Sequence, residues 1–115
     1  MVTIYHNPRC SKSRQTLQLL QEHGVEPQQV LYLDSPPTPA ELTAVLKKLG
    51  ISARELLRTG EEAYKSEGLA DKSLPEKDLI AAMCAHPKLI QRPIVIKGDK
   101  AVLGRPPENA LDLIA

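Results

Sequence analysis

Tryptophan and phenylalanine are missing from this chain, and its aromatic residues are Tyr5, Tyr32 and Tyr64 alone. The core must therefore be packed from Leu, Ile, Val and Ala, and no aromatic platform for stacking nucleic-acid bases is apparent in the sequence. An excess of one charge is lacking too. Fifteen Lys and Arg stand against 14 Asp and Glu, and the basic residues are scattered instead of forming the basic face that a nucleic-acid binder presents. No apolar run approaches the roughly 20 residues needed to cross a bilayer. Met1 leads straight into a strand-like segment instead of a signal peptide. A cytoplasmic protein is expected, with neither nucleic acid nor membrane as partner. Cysteine is scarce: Cys10 and Cys84 lie far apart, and a lone structural disulfide is not expected in a reducing compartment. Neither has a second Cys or His at the spacing of a structural zinc site, and His6 with Cys10 supplies only half a tetrahedron. The 115 residues suffice for one domain.

The local patterns are well punctuated. Val2-Thr3-Ile4-Tyr5 alternates and is β-branched, which predicts a short strand. His6-Asn7-Pro8-Arg9 reads as a loop, because Asn-Pro favours a turn and resists the helical region. A helix is expected from position 10 or 11 to about 23, with Leu17 and Leu20 on one face and Gly24 as its stop. A second strand is expected over 29–33, giving a β–loop–α–β opening that pairs parallel strands. The middle is helical. Thr38-Pro39-Ala40-Glu41, Ser52-Ala53-Arg54-Glu55 and Ser73-Leu74-Pro75-Glu76 each read as a capping box. A strand over 93–97, a Gly98-Asp99 turn and a returning strand over 101–103 then form a hairpin. Pro106-Pro107-Glu108 opens a last helix using Leu111 and Ile114. The sum is βαβ, helical insert, ββα: an α/β chain with a mixed four-stranded sheet flanked by helices.

Chemistry concentrates at Cys10. It follows a strand and a proline loop and opens a helix, where free N–H groups and the dipole favour a thiolate. Arg9, Lys12 and Arg14 add positive charge nearby, and His6 is placed to orient or protonate an incoming group. A buried small residue in a tight turn is the alternative reading of Cys10, and the polar neighbours argue against it. The three residues between Cys10 and Arg14 are too few for a phosphate-encircling phosphatase loop. A dithiol motif would need cysteine at position 13, where the chain has Ser13; its hydroxyl can donate to a thiolate but cannot resolve a disulfide. Cys84, late in a helix beside Met83, reads as packed and inert. Arg92 precedes the third strand and Arg105 follows the fourth. Arg58 is expected at the end of a helix, where an arginine ordinarily compensates the dipole.

Taken together, Ile4-Tyr5-His6-Asn7-Pro8-Arg9-Cys10-Ser11-Lys12-Ser13-Arg14, Leu31-Tyr32-Leu33, Gly50-Ile51-Ser52, Leu56-Leu57-Arg58, His86-Pro87, Gln91-Arg92-Pro93-Ile94-Val95 and Gly104-Arg105-Pro106 run in order along the chain. This set resembles the glutaredoxin-coupled arsenate reductase (ArsC) family. The resemblance implies a single thioredoxin-like domain over 1–115 with a helical insert at about 36–88, and a cis peptide before Pro93. It implies Cys10 as the nucleophile, with His6, Ser13 and Arg14 around it, and Arg58, Arg92 and Arg105 as oxyanion-binding arginines. The implied activity is reduction of arsenate to arsenite, with glutathione as co-substrate, glutaredoxin as partner, and no tightly bound cofactor or metal. Two other readings of the resemblance are a glutathione-linked thiol oxidoreductase of different substrate and a non-enzymatic regulator contacting RNA polymerase. Such regulators usually carry Cys-x-x-Cys, from which Ser13 departs.

Overall fold

The computed structural model describes residues 1–114. Its strands are β1 (Val2–Tyr5), β2 (Gln28–Val30), β3 (Ile94–Lys97) and β4 (Lys100–Leu103). They form one sheet in the order β2-β1-β3-β4. β1 pairs parallel to β2 with Tyr5 opposite Val30, and antiparallel to β3 with Ile4 opposite Val95. β3 and β4 are the expected hairpin, with Val95 opposite Val102; Gly98 supplies a positive φ of 62° at the first loop position, the demand of a tight hairpin turn. One parallel and two antiparallel neighbours in this order make the mixed sheet of a thioredoxin-like fold.

Helix α1 (Ser11–Glu22) crosses from β1 to β2, and α6 (Asn109–Ile114) follows β4. They bury Leu20 and Ala110 with Val2, Ile4 and Val95, and Leu17, Val25, Val102, Leu113 and Ile114 extend this aliphatic core. The period-2 alternation of β1 sends Val2 and Ile4 to that face and Tyr5 to the other. There Tyr5 stacks on Tyr32 with ring centroids 6.3 Å apart.

The second strand is shorter than expected and ends at Val30. Tyr32 N–H donates to Val30 O and Ser35 N–H to Leu31 O, so 31–35 curls into turns. This tucks Tyr32 inside and leaves Leu31 exposed. The apolar run looks strand-like, but burial of one aromatic ring outweighs continued pairing at this sheet edge.

By its internal contacts the chain divides into two compact units: Met1–Ser35 with the segment from Arg92 onward, and Pro36–Gln91. The second unit holds α2 (Pro39–Leu49), α3 (Ala53–Leu56), α4 (Glu62–Ser66), α5 (Glu76–Ala85) and a 3-10 turn at Pro87–Leu89. Thr38 and Ser52 make complete capping boxes with Glu41 and Glu55. The third predicted box does not form. α5 begins after Pro75 without a side-chain cap, the Ser73 hydroxyl donates to Asp71, and Glu76 accepts from Ala53 N–H at the start of α3. The helix starts at Glu76 with Pro75 at the cap position, so Ser73 lies outside it, and Asp71 takes the Ser73 N–H that a capping box would give to Glu76. α3 stops at Leu56, because Leu57 leaves it to bridge Ile90 and Gln91 N–H donates to Leu56 O. The short α4 carries no buried residue, which is why no apolar periodicity announced it. Among the described residues no helix is long and apolar enough to cross a membrane.

Candidate active site

The loop after β1 folds back on the first turn of α1. Asn7 organises it: its side-chain oxygen accepts from Arg9 N–H, its carbonyl accepts from Cys10 N–H at 3.0 Å, and its own N–H donates to Ser13 Oγ at 2.9 Å. Ser13 Oγ also lies 2.7 Å from His6 Nδ1. His6 and Ser13 are both buried. The Ser13 hydroxyl thus binds the loop and His6, and the Ser13 backbone N–H faces Cys10. Arg14 is exposed on α1 and donates from Nη1 to Pro8 O at 2.9 Å, bracing the same loop.

Cys10 is the N-cap of α1, with extended backbone at φ −96° and ψ 125°. The residue is 9 % exposed, so the buried reading had substance, yet the surroundings are polar. As a thiol it makes no side-chain cap hydrogen bond of standard geometry; what its surroundings favour is the anion. Burial pushes the thiol up, but the Ser13 N–H, the charge of Arg92, the Lys12 N–H and a hydrogen bond from the Arg92 side chain outweigh it, and the thiol ends below its ordinary value. The N–H groups of the first helical turn and a guanidinium are two of the means by which proteins make reactive thiolates. His6 moves in the neutral direction: burial first, then the charge of Arg14, hold its imidazole below the usual histidine value.

Arg92 stands two residues before β3, at a cis Arg92-Pro93 bond, and Arg105 stands after β4 at a second cis bond to Pro106. The first matches expectation and the second was not anticipated. Arg105 Nη1 reaches Arg92 O at 3.5 Å. The buried Nε of Arg92 has no hydrogen-bond partner among the described residues. His6, Cys10, Ser13, Arg14, Arg92 and Arg105 therefore all belong to the sheet unit. Arg58 belongs to the helical unit. It lies beyond α3 instead of ending a helix; its N–H donates to Leu89 O, and its Nη1 contacts Glu61 at 3.2 Å and Lys88 O at 3.3 Å. Cys84, on α5, is half-buried, and burial followed by the charge of Glu41 pushes its thiol up. Asn7 was noticed in the sequence only as a turn residue; its pairing with Pro8 was the one signal of its structural task.

The sequence signature of the ArsC family matches residues 5–113. The chain is 58% identical to protein YfgD of Escherichia coli K12, which carries no described activity, over 98% of this chain and 96% of that one. It is 49% identical to an arsenate reductase of Haemophilus influenzae, with 98% of each chain covered. The solved arsenate reductase from Vibrio cholerae superposes with a TM-score of 0.94 at 48% identity, covering 96% of this chain and 95% of that one. The nucleophile loop, the mixed sheet and these near full-length matches agree, and the chain belongs to the ArsC family.

Proposed function

We propose that this chain reduces arsenate to arsenite through a covalent intermediate on Cys10, with glutathione and glutaredoxin returning the thiol. The observation that carries the proposal is the N-cap sulfur of Cys10, held toward its anion by two helix N–H groups and Arg92 in spite of burial. Relatives named as arsenate reductases support the substrate. Arsenate is a tetrahedral oxyanion, largely ionised at neutral pH, and guanidinium groups bind such oxygens through paired, charge-assisted hydrogen bonds. Arg92, which acts on the Cys10 sulfur, and Arg105, whose Nη1 reaches Arg92 O, would supply them. For Arg58 the family resemblance is the support.

In the proposed sequence the Cys10 thiolate attacks arsenic and one arsenate oxygen leaves as water, forming a sulfur–arsenic bond. Glutathione then attacks the Cys10 sulfur. The sulfur–arsenic pair of electrons passes to arsenic, arsenite departs, and Cys10 is left as a mixed disulfide with glutathione. A second glutathione, delivered through glutaredoxin, exchanges onto that disulfide and frees Cys10. The net change consumes one arsenate and two glutathiones and yields arsenite, oxidised glutathione and water. Ser13 at the dithiol position, and the raised thiol of Cys84, favour this external resolving thiol over an internal one.

The test is arsenate-dependent NADPH oxidation with glutathione, glutaredoxin and glutathione reductase. Turnover by the wild-type chain and its loss in a folded Cys10→Ser variant is the expected result. Background rates with arsenate and turnover with another oxyanion or a disulfide would transfer the chain to a different thiol substrate.

A further inference from the structure

Thr16 is fully buried on α1, one turn beyond the residues that face the thiol, and no part of the chemistry above uses it. Its hydroxyl lies 2.8 Å from Lys12 O and 3.3 Å from Gly104 O. The first contact is the ordinary back-bond of a helical threonine. The second reaches the far end of the chain. Gly104 is itself forced to be glycine: a Cβ there would meet Pro93 Cγ at 2.7 Å, Thr16 Oγ1 at 2.7 Å and Thr16 Cγ2 at 2.9 Å. Gly104 N–H donates to Pro93 O at 2.9 Å, and Pro93 is fully buried. Each partner in this cluster adjoins a functional group. Lys12 O shares its peptide unit with the Ser13 N–H that faces Cys10, Pro93 follows Arg92, and Gly104 precedes Arg105.

We propose that Thr16 is a positioning residue: with Pro93 and Gly104 it forms a buried clamp that fixes the two arginine-bearing strand ends against the helix turn that carries Cys10. The proposal deepens, and rests on, the reading that Cys10 attacks an anion held by Arg92 and Arg105. The hydroxyl locks the loop after β4 onto α1, and the absent Cβ at Gly104 lets the two backbones close to that distance. A guanidinium attracts an anion in inverse proportion to distance and through oriented hydrogen bonds, so a small relaxation of this clamp weakens anion capture before it weakens the thiol.

The experiment compares alkylation of Cys10 by iodoacetate, an anion, with alkylation by neutral iodoacetamide, followed by mass spectrometry in the full chain. The ratio of the two rates reports how the arginines are disposed around the sulfur without requiring arsenate. Thr16→Val, which keeps shape and removes the hydroxyl, is expected to lower the ratio by roughly three- to tenfold, the effect of retreating a cation by an ångström or two. The iodoacetamide rate should change by less than that, and Thr16→Ser should restore the ratio. In the coupled assay Thr16→Val should raise the arsenate KM by the same factor and change kcat less. A folded Thr16→Val with the wild-type ratio overturns the proposal; if that variant does not fold, Thr16→Ala carries the same readout. Loss of the ratio in a chain whose wild type ignores arsenate would sink the substrate reading and leave the clamp standing.

Discussion

At an N-cap, a side chain ordinarily offers oxygen to the N–H groups of the second and third helical residues. Cys10 holds that place in α1 with sulfur, and the N–H groups of Lys12 and Ser13 help to hold its thiol below the ordinary value. It follows that at pH 7 iodoacetamide should label Cys10 well before Cys84, with a pH midpoint below that of an ordinary thiol; mass spectrometry of the two peptides checks this. Cys84→Ser should retain turnover, since its thiol is pushed up by burial and by Glu41. His6 gives a second residue-level test. Its folded value is depressed, so the unfolded chain takes up the proton first as pH falls through roughly 6.5. Stability should fall between pH 7 and pH 5, and fall less in His6→Gln, as read by urea unfolding at both pH values. Much of this was legible in the sequence, because a cysteine after a proline loop and before a helix announces its own local field. The identity of the nearest cation was not. Arg9, Lys12 and Arg14 are neighbours along the chain, yet the guanidinium at the sulfur is that of Arg92, brought there by strand pairing. The same limit hid Thr16 and Gly104, whose contact spans most of the chain.

At the scale of elements, the two capping boxes that formed and the one that failed have the same sequence pattern. Thr38 and Ser52 bind the N–H groups of Glu41 and Glu55, whereas Ser73 is taken by Asp71. Thr38→Ala should therefore cost about 1 kcal/mol in urea unfolding, while Ser73→Ala should stay within about 0.5 kcal/mol. Equal losses would contradict this assignment of the caps. The pattern is read from spacing alone, and spacing does not register a competing acceptor two residues upstream. The shortened β2 teaches a related lesson: Leu31-Tyr32-Leu33 has the composition of a strand, but its fate was decided by the stacking of Tyr32 on Tyr5, which no local rule contains. Hairpin β3–β4 was legible because its turn residues and its strands agree.

For the whole molecule, the sheet is closed by pairing β1 with β3 across the helical insert, and this non-local step sets Arg92 and Arg105 in the same unit as Cys10. An arginine that holds an oxyanion through two parallel hydrogen bonds is not replaced by lysine. Arg92→Lys should lower kcat/KM for arsenate on the order of tenfold or more with little change in the thermal midpoint, the loss of one charge-assisted hydrogen bond at the transition state. An unchanged kcat/KM would remove Arg92 from the oxyanion site. The most direct measurement incubates the chain with arsenate and glutathione in the absence of glutaredoxin, then weighs the intact protein and quantifies arsenite. The account predicts about one arsenite per chain, with glutathione joined to Cys10 and Cys84 unmodified. Free Cys10 with no arsenite released, from a folded chain, would contradict it.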